Sequence, residues 1–231
     1  MQAILKAQEN SDEAAKILSE KHNVSISASD IKQVISCDIN DIPEDIRIIK
    51  PLDGENNTIY MKIYYIGTHI TGKSIEAGIP YKQVINGVVS NLSNNCFWPV
   101  LSEIYGTDFS NDKKTLLEQC QKCNFGVVDL YGKCKCFGSS DGEILKGTEE
   151  RNPYFVELLE SGDFDLLVFN GKSTYKLFKK MYGNIVEDNR IIGDLISTSG
   201  AAAKKIEKWD KESLEEKKKK EWASKIPIKR K

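Results

Sequence analysis

The sequence has no run approaching the ~20 apolar residues that a helix needs to cross a bilayer, so no membrane span is expected. Residues 1–12 lack the basic-then-apolar order of a secretory signal, and an intracellular, cytoplasmic protein is expected, nuclear if the source is eukaryotic. Cysteine is sparse: six in 231 residues are too few to imply a disulfide framework. Net charge is nearly nil, with 33 Lys and Arg against 34 Asp and Glu, which excludes a basic nucleic-acid coat and an acidic disordered chain. What is present, 40% hydrophobic, 9% aromatic and 29% charged residues, suits one globular domain with an appendage. The charge is uneven. Residues 204–231 hold 12 basic and 6 acidic side chains, a local positive field able to attract a polyanion that the average conceals.

Residues 11–22 (SDEAAKILSEKH) put Ala14, Ala15 and Leu18, with Ile17 beside them, on one helical face, and Ser11 or Asp12 can cap it. Residues 27–35 (SASDIKQVI) repeat the pattern with Ile31, Val34 and Ile35. A small N-terminal helical hairpin is predicted, which with its linker occupies residues 1–52 and serves packing or a protein partner. A helix-turn-helix reading is weaker, because few Arg or Lys residues there can meet phosphates. Residues 38–57, acidic and carrying Pro43, Pro51 and Gly54, read as the connection.

From Thr58 the rhythm alternates. Strands are predicted over 59–66, 125–130, 164–169 and 191–196, and helices over 97–105, 113–123, 153–160 and 172–182, followed by a Lys-rich C-terminal helix. This order predicts an α/β fold for residues 53–231: three α/β/α layers around a central, mainly parallel four-stranded sheet. In such a sheet the chemistry gathers outside the carboxyl ends of the strands. Those segments are 67–72, 129–141, 170–172 and 197–200, all rich in small polar residues.

Taken in order, the segments read Gly67-Thr68 with Gly72, Lys73 to Gly78 leading to Tyr81, Asn95-Cys96-Phe97-Trp98, Gly138 to Asp141, Phe169-Asn170-Gly171-Lys172 and Ser197-Thr198-Ser199. This series resembles the uracil-DNA glycosylase superfamily, most closely the branch with the hypoxanthine-DNA glycosylases and their mismatch-specific uracil relatives. The resemblance covers about residues 63–209, and no single piece of it is specific. It implies hydrolysis of the N-glycosidic bond of a damaged base turned out of DNA, without metal or other cofactor. The transition state carries positive charge on the sugar and negative charge on the departing base, so the site needs preorganised dipoles at both.

On this resemblance Asn95 and His69 are the catalytic candidates, Tyr81, Asn170 and Thr68 meet the base, and Ser197, Thr198, Ser199, Gly200 and Lys172 hold DNA phosphates. Each has a plainer reading. Asn95 also suits a helix cap, His69 an ordinary loop histidine, Tyr81 a packed surface tyrosine and Asn170-Gly171 a turn. Phe97 and Trp98 are expected in the core behind the site. The chain departs from the family in three places: His69 in a longer first loop without the family's Pro, Gly200 where the family has Pro, and an insertion of about nine residues between Tyr81 and Asn95. Cys120-x-x-Cys123 and Cys134-x-Cys136 invite a closed metal site, but the intervening strand would hold the pairs roughly 20 Å or more apart. Residues 226–231 (IPIKRK) suit DNA phosphates, a nuclear address or a solvated face. The expectation is a monomeric DNA glycosylase acting on hypoxanthine or uracil; the alternative is an inactive nucleic-acid, nucleotide or partner-binding module on the same fold.

Overall fold

The computed structural model describes residues 35–41, 47–50, 60–93, 95–136, 144–200 and 211–229. The predicted N-terminal helices lie outside these, except that Ile35 opens a strand; the segment 138–141 lies outside them too. In chain order the elements are β1 (Ile35–Asp38), β2 (Ile63–Gly67), α1 (Gly72–Ala77), β3 (Lys82–Ile85), β4 (Val88–Asn91), α2 (Phe97–Tyr105) and α3 (Lys113–Lys122). They continue with β5 (Phe125–Asp129), β6 (Tyr131–Cys136), β7 (Glu150–Arg151), α4 (Pro153–Ser161), β8 (Leu166–Phe169), α5 (Lys172–Tyr182), β9 (Ile191–Ile192) and α6 (Lys211–Lys225).

The central sheet runs β5-β2-β8-β9, all parallel, with Ile63 opposite both Phe125 and Leu166. Strands β5, β2 and β8 are buried along their length, as expected when helices cover both faces. Alternation then sorts the side chains. Ile63, Tyr65, Phe125, Val127, Leu166 and Val168 point to one core, with Phe97, Trp98 and Leu101 of α2, Leu116 of α3 and Trp222 of α6. Tyr64, Ile66, Val128, Leu167 and Phe169 point to the other, with Phe155 and Leu158 of α4 and Phe178 of α5. The expected three layers are therefore present.

Local signals set the boundaries. Asp112 caps α3 by accepting from Thr115 N at 2.9 Å. Asn152 caps α4 ahead of Pro153, and Gly162 ends that helix in the left-handed conformation. The buried Asn152 amide also donates to Asp129 O at 2.8 Å, tying the start of α4 to the end of β5.

Three features differ from the sequence reading. Part of the expected connection belongs to the body: β1 pairs antiparallel with β6, and Ile49 bridges Val127 at the edge of β5. Ile39, Ile48 and Ile49 are buried there, because their apolar side chains outweigh the acidic composition around them. The stretch after Tyr81 forms the β3–β4 hairpin, turned at Asn86-Gly87 with φ of 52° and 78°, the positive values a two-residue hairpin favours. Finally, α6 is not merely a solvated charge run. Trp222 is fully buried, stacks on Tyr65 at 6.0 Å and donates to Ile196 O at 2.9 Å. Ile226 is buried behind it, and Met61 N donates to Ile228 O at 2.9 Å, so this stretch lies along the body.

Candidate functional site

Gly67 ends β2, Asp129 ends β5, and Asn170 follows β8, so three parallel strands deliver their last residues to one rim. Gly67 is required by space: a β-carbon there would overlap the Asp129 carboxylate and the Tyr81 hydroxyl. Asp129 is buried, and sequence reasoning placed it only within a segment; its signal was a strand closing on an acid flush with the rim.

Asn170 organises the site. Its Oδ1 accepts from Thr198 N at 2.9 Å, and its Nδ2 donates to Thr198 Oγ1 at 2.9 Å and lies 3.4 Å from Tyr81 Oη. Ser197 Oγ lies 3.5 Å from the same Oδ1. The following Gly171, at φ 103°, leaves no room for a side chain against Ser197, so the start of α5 closes onto this loop. Lys172, the first residue of α5, is exposed beside it.

The loop 197–200 also reaches Asn95. Asn95 bridges Ser199 through the backbone, and Cys96 N donates to Thr198 O at 3.1 Å. The Asn95 carboxamide oxygen accepts from Phe97 N at 2.8 Å and thereby secures the start of α2. The cap role is thus real, and it leaves the NH2 of Asn95 as the end suited to a ligand. Lys218 of α6, which sequence reasoning missed, is buried beneath the loop and donates to Thr198 O at 3.2 Å and Ser199 O at 3.0 Å. Burial pushes its amine below the ordinary range, against the pull of the Cys96 thiol. Nothing in a Lys-rich run marks one lysine as the inward one; only its four-residue steps from Leu214 and to Trp222 hint at it.

Tyr81 stacks on Phe97 at 4.2 Å and 26°, so one face of its ring is covered. It holds a φ of 60°, uncommon outside glycine, fixed by its N donating to Ser74 Oγ at 3.1 Å and its O accepting from Leu92 N at 3.2 Å. Phe97 and Trp98 are buried behind it, as expected. Thr68 is buried and turned to α5, its Oγ1 3.1 Å from Thr174 Oγ1. His69 is placed differently from the other candidates: its imidazole lies with the thiols of Cys37 and Cys134, every ligand atom of the three within 4.8 Å of the others. The site residues the structure brings together are therefore Tyr81, Asn95, Asn170 and 197–199, with Asp129 added, while His69 sits in a separate cluster. Two open clefts, one along Trp98, Ser102, Glu103 and Phe109 and one along Tyr175, Ile191 and Asp194, share no residue with this rim.

A solved structure resembles the chain. It is the solution NMR structure of a protein from Methanosarcina acetivorans described as a "putative Uracil DNA glycosylase", with 20% sequence identity, a TM-score of 0.48, and coverage of 79% of this chain and 95% of that one. No family model and no curated protein matches this sequence. The rim offers a stacking ring, two carboxamides, one buried carboxylate and a loop of hydroxyls and backbone N–H groups beside a helix start. Such a set can grip a planar, hydrogen-bonding ligand next to a phosphate. Among the described residues, no helix is long and apolar enough to cross a membrane.

Proposed function

We propose that the chain is a DNA glycosylase that hydrolyses the N-glycosidic bond of a deaminated base, hypoxanthine or uracil, turned out of DNA. The observation that carries this reading is the contact of Asn170 with Tyr81 and, through the single loop 197–199, its junction with Asn95. The base stacks on the face of Tyr81 opposite Phe97. The NH2 of Asn95 donates to its carbonyl edge and stabilises the negative charge that grows as it leaves, while Asn170, whose NH2 meets Thr198 Oγ1 and Tyr81 Oη, holds the loop and the ring in place. The Asp129 carboxylate faces the sugar, where it stabilises positive charge at C1′ and takes a proton from the attacking water. The water oxygen bonds to C1′, the bond to the base nitrogen breaks, and the base leaves with the electron pair. Ser197, Thr198, Ser199 and Gly200, with Lys172 at the start of α5, hold the flanking phosphates. Thr68 and His69 have no step in this scheme.

Oligonucleotides bearing one deoxyuridine or deoxyinosine, incubated with the protein and treated with alkali, are expected to break at the modified position. Asn95→Ala and Asp129→Asn should each lower the rate at least about 100-fold, the scale of losing one transition-state contact. The non-catalytic reading draws on the placement of His69 among the thiols of Cys37 and Cys134. DNA binding without abasic sites on any modified base would favour it over the enzyme.

A further inference from the structure

The six cysteines do not form the two pairs that their spacing invites. Cys120 within α3 and Cys123 at its end are packed in the core, while Cys134 and Cys136 lie in a separate cluster together with Cys37. That cluster follows from strand geometry. Cys37 on β1 is the direct partner of Cys134 on β6, and Cys134 and Cys136, two residues apart on one strand, share a face. All three thiols are buried, and Cys37 Sγ lies 3.4 Å from Cys136 Sγ. The loop after β2 supplies a fourth group. Gly67 O and Thr68 O accept from Leu130 N and Tyr131 N at 3.0 and 2.9 Å, which lays this loop on the start of β6 and carries His69 to the thiols. The ligand atoms of Cys37, His69 and Cys134 all lie within 4.8 Å of one another, and Cys136 interacts with Cys134, Cys37 and His69.

We infer that Cys37, His69, Cys134 and Cys136 form a structural zinc site. Three sulfurs and one imidazole nitrogen are a donor set that Zn2+ takes in closed, four-coordinate sites. With Zn–S bonds of about 2.3 Å, the edge of such a tetrahedron is about 3.8 Å, close to the 3.4 Å contact of Cys37 with Cys136 and within the 4.8 Å that bounds Cys37, His69 and Cys134. Donors this close bracket a single ion and leave no room for a cage of several irons. Ile75 and Ile144 pack over the sulfurs, giving the apolar surround that keeps water from a structural metal. Four protein ligands leave no open position, so the ion staples β1, β6 and the loop at Gly67-Thr68 rather than taking part in hydrolysis. A histidine committed to the ion is also not a catalytic base. This inference stands independently of the glycosylase reading.

The test uses the full chain, purified under reducing conditions without chelator, and elemental analysis. About one zinc per chain is expected. The dye 4-(2-pyridylazo)resorcinol should register that zinc only after the thiols are blocked by a mercurial, and its release should lower the melting temperature. Replacement by Co2+ should give the intense visible bands of a tetrahedral ion with thiolate charge transfer. Cys37→Ser with Cys134→Ser should lose the metal, and Cys120→Ser should keep it. If the double variant does not fold, the metal content and cobalt spectrum of the unaltered protein decide alone. Metal-free reduced protein that takes up no zinc, iron or copper in its place, an octahedral cobalt spectrum, or a Cys37–Cys134 disulfide found by mass spectrometry would each overturn the assignment.

Discussion

Replacing Asn170 by Ala tests the organisation of the rim without touching the chemistry directly. The carboxamide accepts from Thr198 N and pairs with Thr198 Oγ1, both at 2.9 Å, and Thr198 is fully buried. Truncation leaves a backbone N–H without a partner where water does not reach, at a cost of about 1–3 kcal/mol, and removes the hydroxyl contact, worth about 1 kcal/mol. The sum of about 2–4 kcal/mol is a large share of an ordinary domain's 5–15 kcal/mol. Ser197→Ala is the control, since its hydroxyl is half-buried, accepts from Ser199 N at 3.2 Å and only grazes Asn170 at 3.5 Å; about 0.5–1 kcal/mol is expected. Urea unfolding at pH 7 with a shared m-value measures both, and uracil or hypoxanthine release measures the rim. Asn170→Ala should lose activity at a temperature where it is still folded, because the loop 197–200 then has no anchor toward Tyr81. A loss of stability below about 0.5 kcal/mol, or one smaller than that of Ser197→Ala, would refute the account of the loop.

Gly67→Ala forces a methyl into the Asp129 carboxylate and Tyr81 hydroxyl, so the rim must open; a destabilisation of about 1–3 kcal/mol and loss of base release are expected, read by thermal melts and the strand-break assay. Lys218→Met removes the amine under Thr198 O and Ser199 O, and amide hydrogen exchange should rise over residues 196–200 while the rest of the sheet keeps its protection. Lys82 is fully buried, its amine held by Asn91 and Asn111 at 2.8 and 2.7 Å, and burial lowers its pKa from 10.5 to about 8. Between those values the unfolded chain holds a proton that the folded one has released, so this residue adds stability as pH rises. The unaltered protein should therefore gain on Lys82→Met from pH 8 toward 10.5 in paired denaturation curves; a constant difference would count against the buried amine.

Helices α2 and α5 coincide with their predicted limits because apolar spacing and a closing glycine, Gly106 and Gly183, act within a few residues of each other. The inner strands were legible for the same reason, their runs being continuously apolar, and from them followed the parallel order and the rim at their ends. Asn170 and 197–199 stand out as small polar residues after predicted strands, whereas Asn95 and Tyr81 were proposed only through the family resemblance. Position in the chain does not show which side chains turn inward from a polar stretch. Lys218 under the loop, Trp222 on Tyr65 and Lys82 beneath the hairpin sit in segments whose composition reads as surface, and burial there depends on the partner each helix or strand meets. The thiol cluster shows the same limit most sharply. Cys37 is 97 residues from Cys134 in sequence and directly opposite it in the sheet, so the pairing of β1 with β6, absent from any local pattern, decided that these cysteines and His69 share one site.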